Sequence, residues 1–134
     1  MKAREYTGII PPLLTPYDRN GNVDDDAMRN LIDFVLPHVD GFYPVGTYGT
    51  GPFMTVEERK HTLEVVLNHV NGRVPVVAHV GAASAQIATD LARHAKASGA
   101  AGVGAISRFY SPGLLENNLY AYFVELIDSV NEED

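Results

Sequence analysis

Short apolar runs begin near residues 42, 74 and 102, and each is followed by a stretch whose apolar residues recur with helical spacing. A period of roughly thirty residues is what a strand, a helix and a right-handed crossover occupy together, so the strands are expected to run parallel. The first strand is expected over residues 9–16, where prolines confine it to positions whose missing donors are not needed. A helix then starts near Asp24, with Met28, Leu31, Ile32, Val35 and Leu36 on one face and three leading aspartates suited to the positive end of its dipole. The second strand, 42–45, leads through a glycine-spaced turn to Thr55-Val56-Glu57-Glu58, a capping box that starts the second helix. Leu63, Val66, Leu67 and Val70 form its inward stripe, and Asn71-Gly72 ends it. Residues 74–80 read as a strand covered on both faces. Ser84 caps a third helix with Ile87, Leu91 and Ala95 inward, residues 103–106 form the fourth strand, and a last helix presents Leu119, Tyr122, Phe123, Leu126, Ile127 and Val130. The fold class is therefore α/β, four consecutive βα units, built as an open doubly wound sheet or as half of a (β/α)8 barrel, which takes about 250 residues where this chain has 134.

The turn over residues 41–51 is where a ligand is expected. Glycines 46, 49 and 51 supply positive φ and close backbone approach, so the amides and hydroxyls of Thr47 and Tyr48 face a small anion, and the helix that follows adds its positive end. The plainer alternative is a turn whose glycines serve geometry alone. The spacing G-x-x-G-x-G is not the dinucleotide pattern, and no Gly-Lys-Ser/Thr follows, so a nucleotide is not the favoured ligand. No strongly basic group accompanies the turn in the sequence, which weakens a phosphate reading.

A formal charge of -7 argues against nucleic acid and anionic membranes as partners. With no cysteine there is no disulfide, thiolate metal site or cysteine nucleophile. The first residues lack a signal-peptide core and no apolar run approaches the roughly 18 residues of a membrane span, so a cytoplasmic location is expected. No metal and no cofactor are expected either. His61 and His69 stand eight apart on one helix, outside the i, i+4 spacing of a shared ion. The calcium-loop pattern at Asp18, Asn20, Asn22 and Asp24 fails at Val23 and Arg29. His79, in an apolar strand near the ligand end, is either a substrate contact or a hydrogen-bonded core histidine, while Tyr43 and Phe109 read as packing aromatics.

Three separated segments carry a resemblance to a known family: Gly8-Ile9-Ile10-Pro11-Pro12-Leu13-Leu14-Thr15-Pro16 followed by Gly21 and Asp24; Val45-Gly46-Thr47-Tyr48-Gly49 with Thr55-Val56-Glu57-Glu58-Arg59; and Ala105-Ile106-Ser107-Arg108-Phe109-Tyr110. With Ala78-His79-Val80-Gly81, the chain resembles the dihydrodipicolinate synthase and N-acetylneuraminate lyase group of pyruvate-dependent class I aldolases. The resemblance implies that residues 1–134 form the N-terminal half of a (β/α)8 barrel domain, a truncated single unit. It implies a lyase or aldolase acting on pyruvate or a related 2-oxo acid through a Schiff base. Thr47 and Tyr48 would hold the carboxylate and Tyr110 would relay protons. Tyr48 stands where the family usually has a second threonine, and Thr50 where it has a glutamate. The only lysines are Lys2, Lys60 and Lys96, none at a strand's C-terminal end, so the Schiff-base lysine is expected beyond Asp134. The rival reading is a non-catalytic half-barrel that binds a carboxylate or serves in assembly. In either case the open sheet edges imply a homo-oligomer.

Overall fold

Asp24 starts the first helix: its carboxylate accepts the Ala27 amide at 2.9 Å, and α1 runs Asp25–Val35 in the computed structural model, which describes residues 6–106 and 116–131. Met28 and Ile32 of α1 are buried, flanked by half-buried Leu31, Val35 and Leu36. The capping box forms as the sequence predicts. Thr55 Oγ1 accepts the Glu58 amide at 3.2 Å and Glu58 Oε2 accepts the Thr55 amide at 2.7 Å, opening α2 at Val56–Val70. These bonds from Thr55 hold the Glu58 carboxyl below its usual range. Left-handed Asn71 (φ 46°) and Gly72 (φ 71°) close α2. Ser84 caps α3, Ala85–Ala97, and α4 spans Glu116–Asn131.

Strands are shorter than the apolar runs. β1, Val77–His79, pairs in parallel with β2, Gly102–Gly104, in the register Val77↔Gly102, Ala78↔Val103, His79↔Gly104. The run at 9–16 gives one parallel bridge, Pro12↔Tyr43, and 42–45 gives that bridge and Phe42↔Val76. Prolines explain the shortfall: Pro11, Pro12, Pro44 and Pro75 donate nothing, so pairing rests on bonds such as Leu13 N to Tyr43 O (3.1 Å), Tyr43 N to Pro11 O (3.0 Å), Phe42 N to Pro75 O (3.0 Å) and Val77 N to Phe42 O (2.9 Å). The strand expected at 103–106 lies at Gly102–Gly104, because its ladder ends where β1 ends.

Helix α1 packs on α2, α2 on α3 and α3 on α4, and the core lies between this layer and the paired segments. Phe42, Val66, Val76 and Ala78 are buried there, each large apolar side chain contributing about 1.5–3 kcal/mol of transfer free energy. Two expectations need correction. Ile87 is 40% exposed and Ile127 53% exposed. The inward face of α3 is instead Ala88, Leu91, Ala92 and Ala95, small residues that admit close helix approach, and it meets Tyr122, Leu126 and Val130 of α4.

Candidate functional site

The turn after Tyr43 is left-handed at Val45 (φ 55°) and Thr50 (φ 58°), not at glycines 46, 49 and 51 as their spacing suggests. Those glycines serve space instead. A Cβ on Gly49 would stand 2.7 Å from the Leu13 carbonyl oxygen, and one on Gly51 would overlap the carbonyl oxygen of Val45. A β-branched residue in the left-handed region costs on the order of 1–3 kcal/mol and persists only where its surroundings over-determine it. Here Thr50 N donates to Thr47 O and Gly51 N to Gly46 O, both at 3.0 Å, and Thr15 Oγ1 donates to Gly49 O at 2.7 Å.

Thr47 and Tyr48 occupy the exposed tip. Among the described residues their side chains have no hydrogen-bond partner, and the amides of Thr47, Tyr48 and Gly49 donate to no backbone carbonyl. The exposed amides and hydroxyls of Thr47 and Tyr48 are thus donors left over for a small anion, while Gly49 behind them is buried. The expected helix contribution is corrected: a single 3-10 turn, Gly51–Phe53, intervenes before α2, and the capping box with Glu57 and Glu58 already satisfies the start of α2.

Behind the turn lies a cluster that the sequence reading did not find. Arg59, 5% exposed, donates from Nη1 to Gly81 O at 3.0 Å and from Nη2 to His79 O at 2.9 Å, with Nη2 also 3.4 Å from His79 Nδ1. No carboxylate pairs with it among the described residues, and burial lowers its pKa to about 10, leaving it charged at neutral pH. A guanidinium has no acceptor, so His79 Nδ1 is the unprotonated nitrogen of a neutral ring. Burial first and the Arg59 charge second push the His79 pKa down to about 4, against a hydrogen bond with the Val45 backbone. Tyr43 meets the His79 ring edge-on, centroids 5.7 Å apart, and burial raises its phenol. On the other side Tyr122 of α4 accepts the Ala82 amide at 3.2 Å and donates to the Ala82 carbonyl at 3.3 Å. Helices α2 and α4 therefore pin the chain just past β1, while His79 links that point to the ligand turn.

His79 is thus a buried core histidine that supports the turn, and Arg59 overturns the expectation of a turn without a strongly basic group nearby. A signal was present: Arg59 precedes Leu63, Val66 and Val70 at i−4, i−7 and i−11 on the buried stripe of α2. Tyr110 and Phe109 lie outside the described residues, as does Lys2. Lys60 is paired with Asp90 at 2.8 Å between α2 and α3, and Lys96 sits on α3, both in the helical layer. His61 and His69 pair with Asp25 and Asp33, each at 2.8 Å. Among the described residues no His, Cys, Asp or Glu group could hold a metal ion, and no helix is long and apolar enough to cross a membrane.

The model of the dihydrodipicolinate synthetase family matches residues 5–133. The 4-hydroxy-tetrahydrodipicolinate synthase of Pelobacter propionicus is 37% identical over 127 residues, which are 94% of this chain and 43% of that protein. The structure of YagE, a prophage protein of the dihydrodipicolinic acid synthase family from E. coli K12 in complex with pyruvate, superposes with a TM-score of 0.90 at 36% identity, over 93% of this chain and 42% of that one. A Ruminococcus gnavus sialic acid aldolase, solved as a catalytic lysine mutant, superposes with a TM-score of 0.88 at 32% identity, over 96% and 42% of the two chains. The chain spans about two-fifths of the length of the curated relatives it matches, and its fold is consistent with part of a (β/α)8 barrel. On the family match across nearly its whole length, the chain belongs to the dihydrodipicolinate synthetase family.

Proposed function

We propose that this chain is the carboxylate-holding part of a Schiff-base lyase or aldolase acting on pyruvate or a related 2-oxo acid. The observation that carries the reading is the exposed tip at Thr47 and Tyr48, whose amides and hydroxyls have no hydrogen-bond partner among the described residues, next to His79 and the buried Arg59 bonded to it. Pyruvate bound to YagE supports the substrate class. In this reading residues 1–134 supply the first four βα units of a barrel domain, Thr47 and Tyr48 orient the carboxylate, and the hydroxyl of Tyr110 moves a proton at the reacting carbon. The amine nucleophile lies outside this chain. Lys60 is held by Asp90 in the outer layer, and its pKa is raised by that bond, the opposite of what a nucleophilic amine requires.

Backbone amide shifts during a pyruvate titration test the site: perturbation centred on residues 46–51 supports it, and perturbation elsewhere with a silent turn sinks it. Borohydride added with pyruvate is expected to leave no reduced adduct on this chain. A stoichiometric adduct on Lys60 or Lys96 overturns the lysine assignment.

A second reading, a non-catalytic carboxylate-binding or assembly module, is favoured by the exposed apolar side chains Ile9, Leu14 and Ile106 beside incompletely paired segments. Val76, Ala78 and Val80 are buried, so the apolar surface left beside the paired segments is that of Ile9, Leu14 and Ile106.

A further inference from the structure

The Gly49 carbonyl accepts two hydroxyls, Thr15 Oγ1 and Thr50 Oγ1, both at 2.7 Å. Thr50 has one hydroxyl proton, and it is given to Gly49. The 2.6 Å contact between Tyr17 Oη and Thr50 Oγ1 therefore runs in one direction, with the tyrosine donating. The result is a chain of hydroxyls, Tyr17 to Thr50 to Gly49, joined there by Thr15. It fixes the Gly49–Thr50 peptide plane, whose amide closes onto Thr47 O at 3.0 Å around Tyr48.

Tyr17 is itself held rigidly. It bridges Val23 in antiparallel fashion, the Asp18 carboxylate accepts the amides of Asn20 (2.8 Å) and Asn22 (2.9 Å), and Asp24 N donates to Pro16 O at 3.0 Å immediately before α1. The donor of the chain thus comes from a separate, well-braced turn. Thr50 in turn occupies φ 58°, where glycine or asparagine would be less strained, and its hydroxyl is the middle member of the chain.

We infer that Tyr17 and Thr50 are positioning residues that lock the turn presenting Thr47 and Tyr48 to the carboxylate, through a hydroxyl chain delivered by the Tyr17–Val23 turn. This rests on the carboxylate reading of the tip. The chain also accounts for a threonine at position 50: a short hydroxyl bridges Tyr17 and Gly49 in one step.

The test uses the full 134-residue chain and four variants: Tyr17→Phe, Thr50→Val, which keeps shape and loses the hydroxyl, Thr50→Ser, which keeps the hydroxyl, and the double variant Tyr17→Phe with Thr50→Val. Amide exchange at Thr50 and Gly51, pyruvate Kd from shifts at residues 46–51, and the urea midpoint are measured on each. Loss of one net hydrogen bond predicts about fivefold faster exchange and about fivefold weaker pyruvate binding in Tyr17→Phe, with the urea midpoint unchanged. Thr50→Val shows the same or more, its combination with Tyr17→Phe adds nothing further, and Thr50→Ser restores both readouts. Tyr17→Phe, altering an exposed ring, decides the matter if Thr50→Val fails to fold. Unchanged exchange in Tyr17→Phe overturns the chain, and faster exchange with unchanged Kd overturns the positioning role. No pyruvate-dependent shift in the parent chain refutes the carboxylate reading and the positioning role with it, whereas a normal parent titration that Tyr17→Phe leaves intact refutes the positioning role alone.

Discussion

The hydroxyl of Tyr43 lies 2.6 Å from where a Cβ on Gly104 would stand. Tyr43 pairs toward β1, and β2 lies beyond, so the ring crosses β1 past the edge of His79 to reach that space. Gly102 plays the same part for Tyr6, whose hydroxyl donates to the Ala101 carbonyl at 2.6 Å. Gly104→Ala is expected to destabilise the chain by about 1–3 kcal/mol, because the ring must leave its contact with His79. Urea unfolding checks this, with Gly104→Ala in a Tyr43→Leu background losing less. Equal losses in both backgrounds would show that the tyrosine does not define the space.

Acid sensitivity follows from His79. Its folded pKa of about 4 lies below the unfolded value near 6.5, so the unfolded state binds more protons between these pH values. Stability is therefore full above about pH 6.5 and falls as pH drops toward 4, by about 2 kcal/mol at pH 5 from this group. The slope of unfolding free energy against pH should flatten over that window in His79→Asn. An unchanged slope would assign the acid loss to carboxylates.

Arg59 should be intolerant of lysine. One ammonium cannot span the Gly81 and His79 carbonyls that the two guanidinium nitrogens reach, so Arg59→Lys is expected to lose about 2–4 kcal/mol. In Arg59→Gln the pKa of His79 should rise, as one cause of its depression is removed, but stay below the usual value because burial remains. Imidazole shifts in an NMR pH titration read this directly.

The helix cap offers a separable control. Thr55→Ala is expected to cost about 1 kcal/mol in thermal unfolding while leaving the pyruvate response of residues 46–51 intact, since the proposed site does not include the start of α2, whose donors the capping box already engages. A parallel loss of ligand response would return the helix terminus to the site.

Association is expected through the open segments. Light scattering across a concentration series should reveal a dimer or larger assembly, driven by burial of Ile9, Leu14 and Ile106. A folded species that holds monomer mass to high micromolar concentration would refute it.

Local chemistry was legible in the sequence. Asp24, Thr55 with Glu58, and Ser84 cap the helices because a cap is decided within four residues. A turn forms between Tyr43 and α2 where the spacing puts one, but its left-handed residues were not legible: glycine spacing cannot reveal that Val45 and Thr50 take the positive φ while the glycines yield space to carbonyls. Arg59 was hidden because a charged residue on a helix reads as solvated until the carbonyls that receive it are located, and those belong to the last residue of β1 and the loop just after it, 20 and 22 residues away. Ile87 misled for a related reason, since the alanines of α3 set the packing face while the larger side chain points to solvent.

Pro12 has a consequence for runaway polymerisation. Odd-numbered members of the first segment pair inward, through Pro11 O and Leu13 N to Tyr43, so the backbone groups of residues 10, 12 and 14 form the outer rim. Proline at the middle of that rim deletes the central donor from any incoming strand's ladder. The rim can therefore dock against a matched neighbour that tolerates the gap, yet it makes a poor template for indefinite fibre growth, a form of protection written into the backbone rather than into surface charge.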